Sequence, residues 1–271
     1  MAKQARLYQL EGIILGRRDH GEADRVIICL TSEGRTDLLA KGARKPQSRK
    51  AGHLEQFART KMLVSRVSGS WDIVSQAEAV ELRPILQEDF QRGTYARYAV
   101  ELVVRFFERE ADEQLYELLD LTLGKLEVDE SAELLVRWYE QRLLVLAGFR
   151  PQWHSCVGDS SGDLCDAELS PRSSDRRSYG LDPERGGALC VACYAALHQE
   201  PGVRLLSPSA LSWLQALQRR EYEELKEFTL PDRTAQELAH AMQHYIAHHL
   251  EYRPASLRIA SRGDLSGRRD T

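Results

Sequence analysis

Residues 25–43, RVIICLTSEGRTDLLAKGA, decide how the first third of this chain folds. Two apolar, β-branched runs flank SEGR, whose glycine suits the tight turn of a β-hairpin. Residues 57–82, FARTKMLVSRVSGSWDIVSQAEAVEL, repeat the device, with KMLVSRV and WDIVSQAEAV on either side of SGS. Upstream, residues 7–18, LYQLEGIILGRR, add a β-branched and aromatic run that breaks at RDHGEAD, 18–24. Short strands at this spacing, about five in all, predict a small antiparallel barrel or sheet over 1–82. A five-stranded OB-type β-barrel fits best, and a half-open β-sandwich is the alternative.

The hydrophobic period changes near Pro84. From residue 85 apolar side chains recur every three or four residues, and Tyr95, Tyr98, Ala99, Leu102, Val103 and Phe106 make one helical stripe. SAELLVRWYEQRLLVLAGF, 131–149, is a further helix, with Ser131 placed to cap it and Gly148 to end it. Residues 150–200, rich in Gly, Ser, Pro and Asp, interrupt the pattern until CVACYAALHQ restores it. Two more helices follow, the first with Ser207 as N-cap and Pro208 in its first turn. The fold class is therefore α+β: a barrel over 1–82, then a helical domain over 83–253 with an insertion at about 150–195. Residues 254–271 are polar and aperiodic and read as a flexible tail.

The chain has 271 residues, 42% of them hydrophobic and 29% charged, which suits a globular protein with a sizeable core. No apolar run approaches the roughly 20 residues needed to span a bilayer. The N-terminus has no signal-peptide pattern, so the expected location is cytoplasmic. The net charge of -4 conceals an asymmetry. Residues 1–80 carry 14 basic and 9 acidic side chains, and the remainder 23 and 32. Residues 35–66 hold Arg35, Lys41, Arg44, Lys45, Arg49, Lys50, Arg59, Lys61 and Arg66 against only Asp37 and Glu55. Such a local field favours polyanions irrespective of the net charge. Aromatic partners for bases are few (Tyr8, Phe57 and Trp71), and the last two suit a core equally well. Binding dominated by the phosphate backbone, with little sequence preference, is expected. An acidic protein surface would satisfy the same loop.

Five cysteines argue against a disulfide framework. Cys29 lies in an apolar strand and reads as core. The other four gather in one segment: Cys156, Cys165, and the C-x-x-C pair Cys190 and Cys193 that opens a helix. This pattern points to a structural zinc site, in which four thiolates leave no open position for catalysis. The downstream pair has knuckle spacing. The upstream pair is separated by eight residues, and Asp159 stands where a knuckle cysteine is usual. His154 and His198 are alternative donors, and buried free thiols or a redox C-x-x-C are alternative readings. No enzyme motif is present: there is no P-loop, dinucleotide fingerprint, nucleophile elbow or H-E-x-x-H. His240, His244 and His248 share a helical face, but without a carboxylate-rich partner motif they read as surface or packing residues.

Residues 12–57 carry a turn GEADR, a hairpin T-x-E-G, the run AKGARKPQSR and a following L-x-x-F. These resemble the N-terminal signature of the bacterial RecO recombination-mediator family. LDPERGGALCVAC, 181–193, resembles that family's SPxxGGxLCxxC, and RWYEQRLLVLAGFRP, 137–151, the helix before its knuckle. The resemblance covers most of residues 8–250 and departs from the pattern at Asp159. It implies an OB-fold, a helical domain and an embedded zinc knuckle, with Cys165 taking the second position after a loop insertion. The zinc ligands are then Cys156, Cys165, Cys190 and Cys193. It further implies a non-catalytic protein that binds single- and double-stranded DNA and anneals complementary strands. With its partner RecR, such a protein promotes loading of RecA onto strands covered by the single-strand-binding protein. The nine basic residues of 35–66 become phosphate contacts, and the protein is expected at the nucleoid during repair.

Overall fold

The computed structural model describes residues 7–108, 112–129, 131–159, 164–172 and 178–250. The tail expected over 254–271 lies outside them. The chain divides into two compact units, Met1–Asp129 and Glu130–Thr271.

In the first unit, β1 (Leu7–His20), β2 (Asp24–Thr31), β3 (Gly34–Ala40), β4 (Arg59–Ser65) and β5 (Asp72–Glu81) close a barrel in the order β1-β2-β3-β5-β4. The closure, in place of a half-open sandwich, comes from the length of β1. Its first half, Leu7 to Ile13, pairs with β4, and its second half, Ile13 to His20, pairs with β2. A register shift between Ile14 and Gly16 bends the strand where it changes partners. β3 and β5 then meet in a short parallel pairing, Leu38 opposite Asp72 and Leu39 opposite Ile73. Period-2 alternation fills the interior with Ile14, Ile27, Cys29, Leu38, Met62, Val64 and Val74. Each such aliphatic side chain contributes about 1.5–3 kcal/mol by burial. Cys29 is wholly buried, and burial pushes its thiol up to about 12, so it is a core residue.

Three helices complete this unit: α1 (Ile85–Glu88), α2 (Phe90–Phe106) and α3 (Glu113–Val128). Asp89 caps α2 by accepting from the Arg92 N–H, and Asp112 caps α3 by accepting from Leu115. Arg83 joins barrel to helix. It is 2% exposed and adopts a left-handed φ of 57°, and its guanidinium donates to the Phe57 carbonyl, Glu81 and Asp120. Phe57 is also left-handed, at φ 71°. A non-glycine residue held this way costs about 1–3 kcal/mol and persists where its surroundings over-determine it.

The second unit contains α4 (Ala132–Leu146), β6 (Tyr179–Asp182), β7 (Gly187–Leu189), α5 (Val191–Leu197), β8 (Arg204–Leu206), α6 (Pro208–Arg219), α7 (Tyr222–Leu225) and α8 (Asp232–Leu250). Helices α4, α6 and α8 pack on one another. Gly148, at φ 80°, ends α4, and Ser207 caps α6 through a bond from the Ala210 N–H. Ser131 occupies the N-cap position of α4 but makes no side-chain cap bond. The strands β7-β6-β8 form a small antiparallel sheet that hydrophobic periodicity does not reveal, because each is only three or four residues long. Trp153 is wholly buried here, donating to Gln141 and packing against Tyr245. No described helix is long and apolar enough to cross a membrane.

Candidate metal centre and nucleic-acid interface

The cysteine segment folds as two loops that converge. The first is anchored by the Val157 N–H to the Ala188 carbonyl and the Cys156 N–H to the Ala167 carbonyl. The Cys165 N–H donates to the Gly158 carbonyl at 2.8 Å. That bond sets Cys165 beside Cys156 despite the eight-residue spacing. The second loop is the start of α5, where Cys190 is the N-cap and its sulfur accepts from the Cys193 N–H.

The four Sγ atoms of Cys156, Cys165, Cys190 and Cys193 all lie within 4.8 Å of one another. Those of Cys165 and Cys190 are 3.9 Å apart. Backbone donors converge on the sulfurs: Cys190 N–H and Gly158 N–H both reach Cys156 Sγ, at 3.1 and 3.4 Å. Gly158 is required by proximity, since a Cβ there would stand 2.7 Å from Cys193 Sγ. Burial pushes the Cys156 thiol up to about 12. Burial also opposes ionisation of Cys190, but the Cys193 N–H and the neighbouring thiols outweigh it and hold that thiol below its usual range. Such a set of sulfurs, with N–H groups aimed at them, can hold a metal ion.

The alternative donors are engaged elsewhere. Asp159 binds Arg185 at 2.9 Å, and the same guanidinium binds Asp182 and Glu200, which keep it charged. His198 Nδ1 is 2.9 Å from the Ala195 carbonyl. Neither these nor His154 joins the four thiols as a metal-holding group among the described residues. On α8, His244 Nε2 sits 2.6 Å from the Gly202 carbonyl.

The basic stretch of 40–50 divides into two parts. Its first part is fastened to the β1–β2 turn. Asp24 accepts from the Gly42 N–H at 2.7 Å, the Arg44 N–H reaches the Ala23 carbonyl, and the Arg44 guanidinium binds Asp19 and the Gly21 and Glu22 carbonyls. Lys41 and Lys45 leave this end exposed, with no ion pair among the described residues. The second part lies over a groove of about 720 Å³ lined by Arg49, Lys50, His53 and the strand residues Gln9, Glu11, Lys61, Gln76 and Glu78. Lys50 is half-buried and donates to the Val74 carbonyl, and burial holds its ammonium below the usual lysine range.

The remaining cations of 35–66 have structural partners. Arg59 pairs with Asp120 and more distantly with Glu11, Arg35 donates to the Val104 carbonyl, and Arg66 lies over the Tyr8 ring beside Asp72. Lys61 faces Glu11 at 3.8 Å. The charge count does not separate these from Lys41, Lys45 and Arg49. Two cations outside the counted stretch, Arg18 and Arg25, join the β1–β2 end. Arg18 lies over Trp71 and Arg25 pairs with Asp19. Strand pairing of 18–20 with 24–26 carries them there.

Comparison with known proteins gives a consistent result. The family model described as "Recombination protein O N terminal" matches residues 4–83, and "Recombination protein O C terminal" matches 87–258. A "DNA repair protein RecO" of Roseiflexus sp. (strain RS-1) is 37% identical over 257 residues, 93% of this chain and 84% of that protein. One from Desulforudis audaxviator (strain MP104C) is 33% identical over 96% of this chain and 98% of its own length. A third, from Symbiobacterium thermophilum, is 33% identical over 91% of this chain and 94% of its own.

Proposed function

This chain belongs to the RecO family, and from that premise we propose that it is a DNA-binding recombination mediator acting in repair. It binds single- and double-stranded DNA, anneals complementary strands and, with RecR, promotes RecA loading onto strands covered by the single-strand-binding protein. DNA binding belongs to the barrel of residues 1–82. The acidic remainder of the chain, a helical domain over 83–253 with its knuckle at about 150–195, leaves other faces for protein partners. The setting is the cytoplasm, at the nucleoid during repair.

The observation that carries this reading is the exposure of Lys41 and Lys45 at the β1–β2 end and of Arg49 at the groove that Lys50 and Lys61 also line. Exposed cations of this kind release counterions when they meet phosphates. Annealing follows from the same charge. Cations set against two strands at once reduce the repulsion between their phosphates, so complementary bases can meet. Nothing in this role breaks a covalent bond, and no catalytic group is assigned.

Cys156, Cys165, Cys190 and Cys193 would hold a structural Zn²⁺. Zinc favours four thiolates, and the four sulfurs, all within 4.8 Å of one another with those of Cys165 and Cys190 3.9 Å apart, fit it. A metal with four thiolates has no open coordination position, so it fastens the two loops together.

The test is binding to a labelled single-stranded oligonucleotide across a salt series. Wild type is compared with a variant carrying Lys41→Glu, Arg44→Glu, Lys45→Glu, Arg49→Glu and Lys50→Glu. A steep slope of log K against log salt that flattens in the variant, by about 0.7 per lost phosphate contact, supports the reading. A shallow slope indifferent to the substitutions overturns it and favours an adaptor whose loop meets an acidic protein.

A further inference from the structure

We propose that Trp71 is a stacking platform for unpaired bases, set at the end of the barrel where the β1–β2 and β4–β5 turns meet. This rests on the DNA-binding reading above and adds to it a group that distinguishes single-stranded DNA by its exposed bases.

Trp71 does not join the core. Trp138 and Trp153 are 3% and 0% exposed, whereas Trp71 is only half-buried. It is nevertheless held on a rigid support. The next residue, Asp72, accepts from the Val67 N–H at 2.8 Å and from the Tyr8 hydroxyl at 2.7 Å. Asp72 also pairs with Leu38 of β3. The β4–β5 turn is thereby closed on itself and tied to two other strands, and the indole projects from a fixed stub.

The surroundings of the ring suit a nucleotide. His20 meets it edge to face, with ring centroids 5.2 Å apart and planes at 90°. The Arg18 guanidinium lies 5.3 Å from the ring centroid. Arg18 is loosely held: its side chain is 56% exposed, and its carboxylate partner Asp37 is 3.9 Å away. A guanidinium so placed can swing from the ring to a phosphate as a base takes the indole face. Lys41 and Lys45 leave the same end of the barrel, because Gly42 and Arg44 are bonded to Asp24 and Ala23. An aromatic face, a cation over it and exposed lysines beside it match the three parts of a nucleotide step: base, and the phosphate on either side. Bases in a duplex already stack on their neighbours and cannot use the site. Any base has a π-face, so the selection is for single-strandedness and not for sequence.

The test compares two labelled oligomers of equal length and charge, one of thymidines and one of abasic phosphodiester units. Wild type is expected to bind the thymidine oligomer about five- to tenfold more tightly, the low end of one stacked base. Trp71→Ala should bring the thymidine oligomer down to the abasic level while leaving abasic affinity and the salt slope unchanged. Trp71→Phe should keep most of the preference. As a second readout, thymidine oligomer should quench tryptophan emission in wild type and not in the conservative Trp71→Phe protein. Equal losses on both oligomers, a preference that survives Trp71→Ala, or quenching that survives Trp71→Phe would overturn the stacking role while leaving phosphate binding intact. Absence of salt-sensitive binding to either oligomer would overturn the DNA reading, and the stacking role with it.

Discussion

Arg59 Nη1 and Asp120 Oδ2 stand 3.0 Å apart, and the other oxygen of the same carboxylate takes the guanidinium of buried Arg83. One acid on α3 thus serves one arginine of the barrel and one that joins the barrel to α1. A cation that charge counting assigns to nucleic acid also ties the barrel to its own helix.

Asp120→Ala should therefore be costly. It leaves Arg83 buried with Glu81 as its remaining carboxylate, and the expected loss is about 3 kcal/mol, the low end for breaking a buried pair. Arg59→Ala should cost about 1 kcal/mol or less, because its side chain is 31% exposed. Urea denaturation measures both. A salt slope for DNA unchanged in Arg59→Ala would separate this structural role from phosphate contact.

The basic stretch should divide functionally as it does spatially. Lys41→Glu with Lys45→Glu, and separately Arg49→Glu with Lys61→Glu, should each lower the salt slope, by about 0.7 for every phosphate contact removed. Arg35→Ala should leave it where it was, since that guanidinium donates to the Val104 carbonyl. A slope that falls equally in all three would mean that only total charge matters.

Metal analysis of purified protein should give one zinc per chain. Cys190→Ser should lose it and lower the melting temperature by about 5 °C or more, as expected for a loss of a few kcal/mol in a chain of this size. Asp159→Asn should retain the metal, because Asp159 is bound to Arg185 and not to the thiols. Gly158→Ala should behave like the cysteine variant, since its Cβ would collide with Cys193. Full metal content in Gly158→Ala would show that the loop can move aside.

Stability should fall at alkaline pH. Burial pushes the hydroxyls of Tyr245, Tyr116 and Tyr8 up to about 12, and for Tyr8 the bond to Asp72 adds to it. In the unfolded chain tyrosine ionises near 10. A raised folded value favours the native state fully below the unfolded value, and that advantage disappears as pH climbs from about 10 through 12. Melting curves across this range should show the decline, and Tyr8→Phe should lessen it. A flat profile up to pH 12 would remove these tyrosines from the account.

Much of the architecture was legible in the order of the residues. The hairpins at SEGR and SGS, the apolar strands between them and the change of period after Pro84 are local signals. The five strands and the longer helices follow them. The motifs GEADR, AKGARKPQSR and LCVAC were legible for the same reason, since each is a contiguous run. The strands β6, β7 and β8 were not, because three or four residues are too few to display a period.

By itself, the sequence determined the α+β class, the family resemblance, and the presence of four cysteines near one helix start. Only tertiary structure showed the sulfurs of all four within 4.8 Å of one another, with Asp159 bound to Arg185 instead. Only tertiary structure separated cations that face solvent from those with structural partners, and left Trp71 at the barrel end while burying Phe57. The physical reason is the same throughout. Secondary structure answers to neighbours along the chain, whereas the partner of a charge or a thiol is set by strands and loops that meet only after the barrel closes.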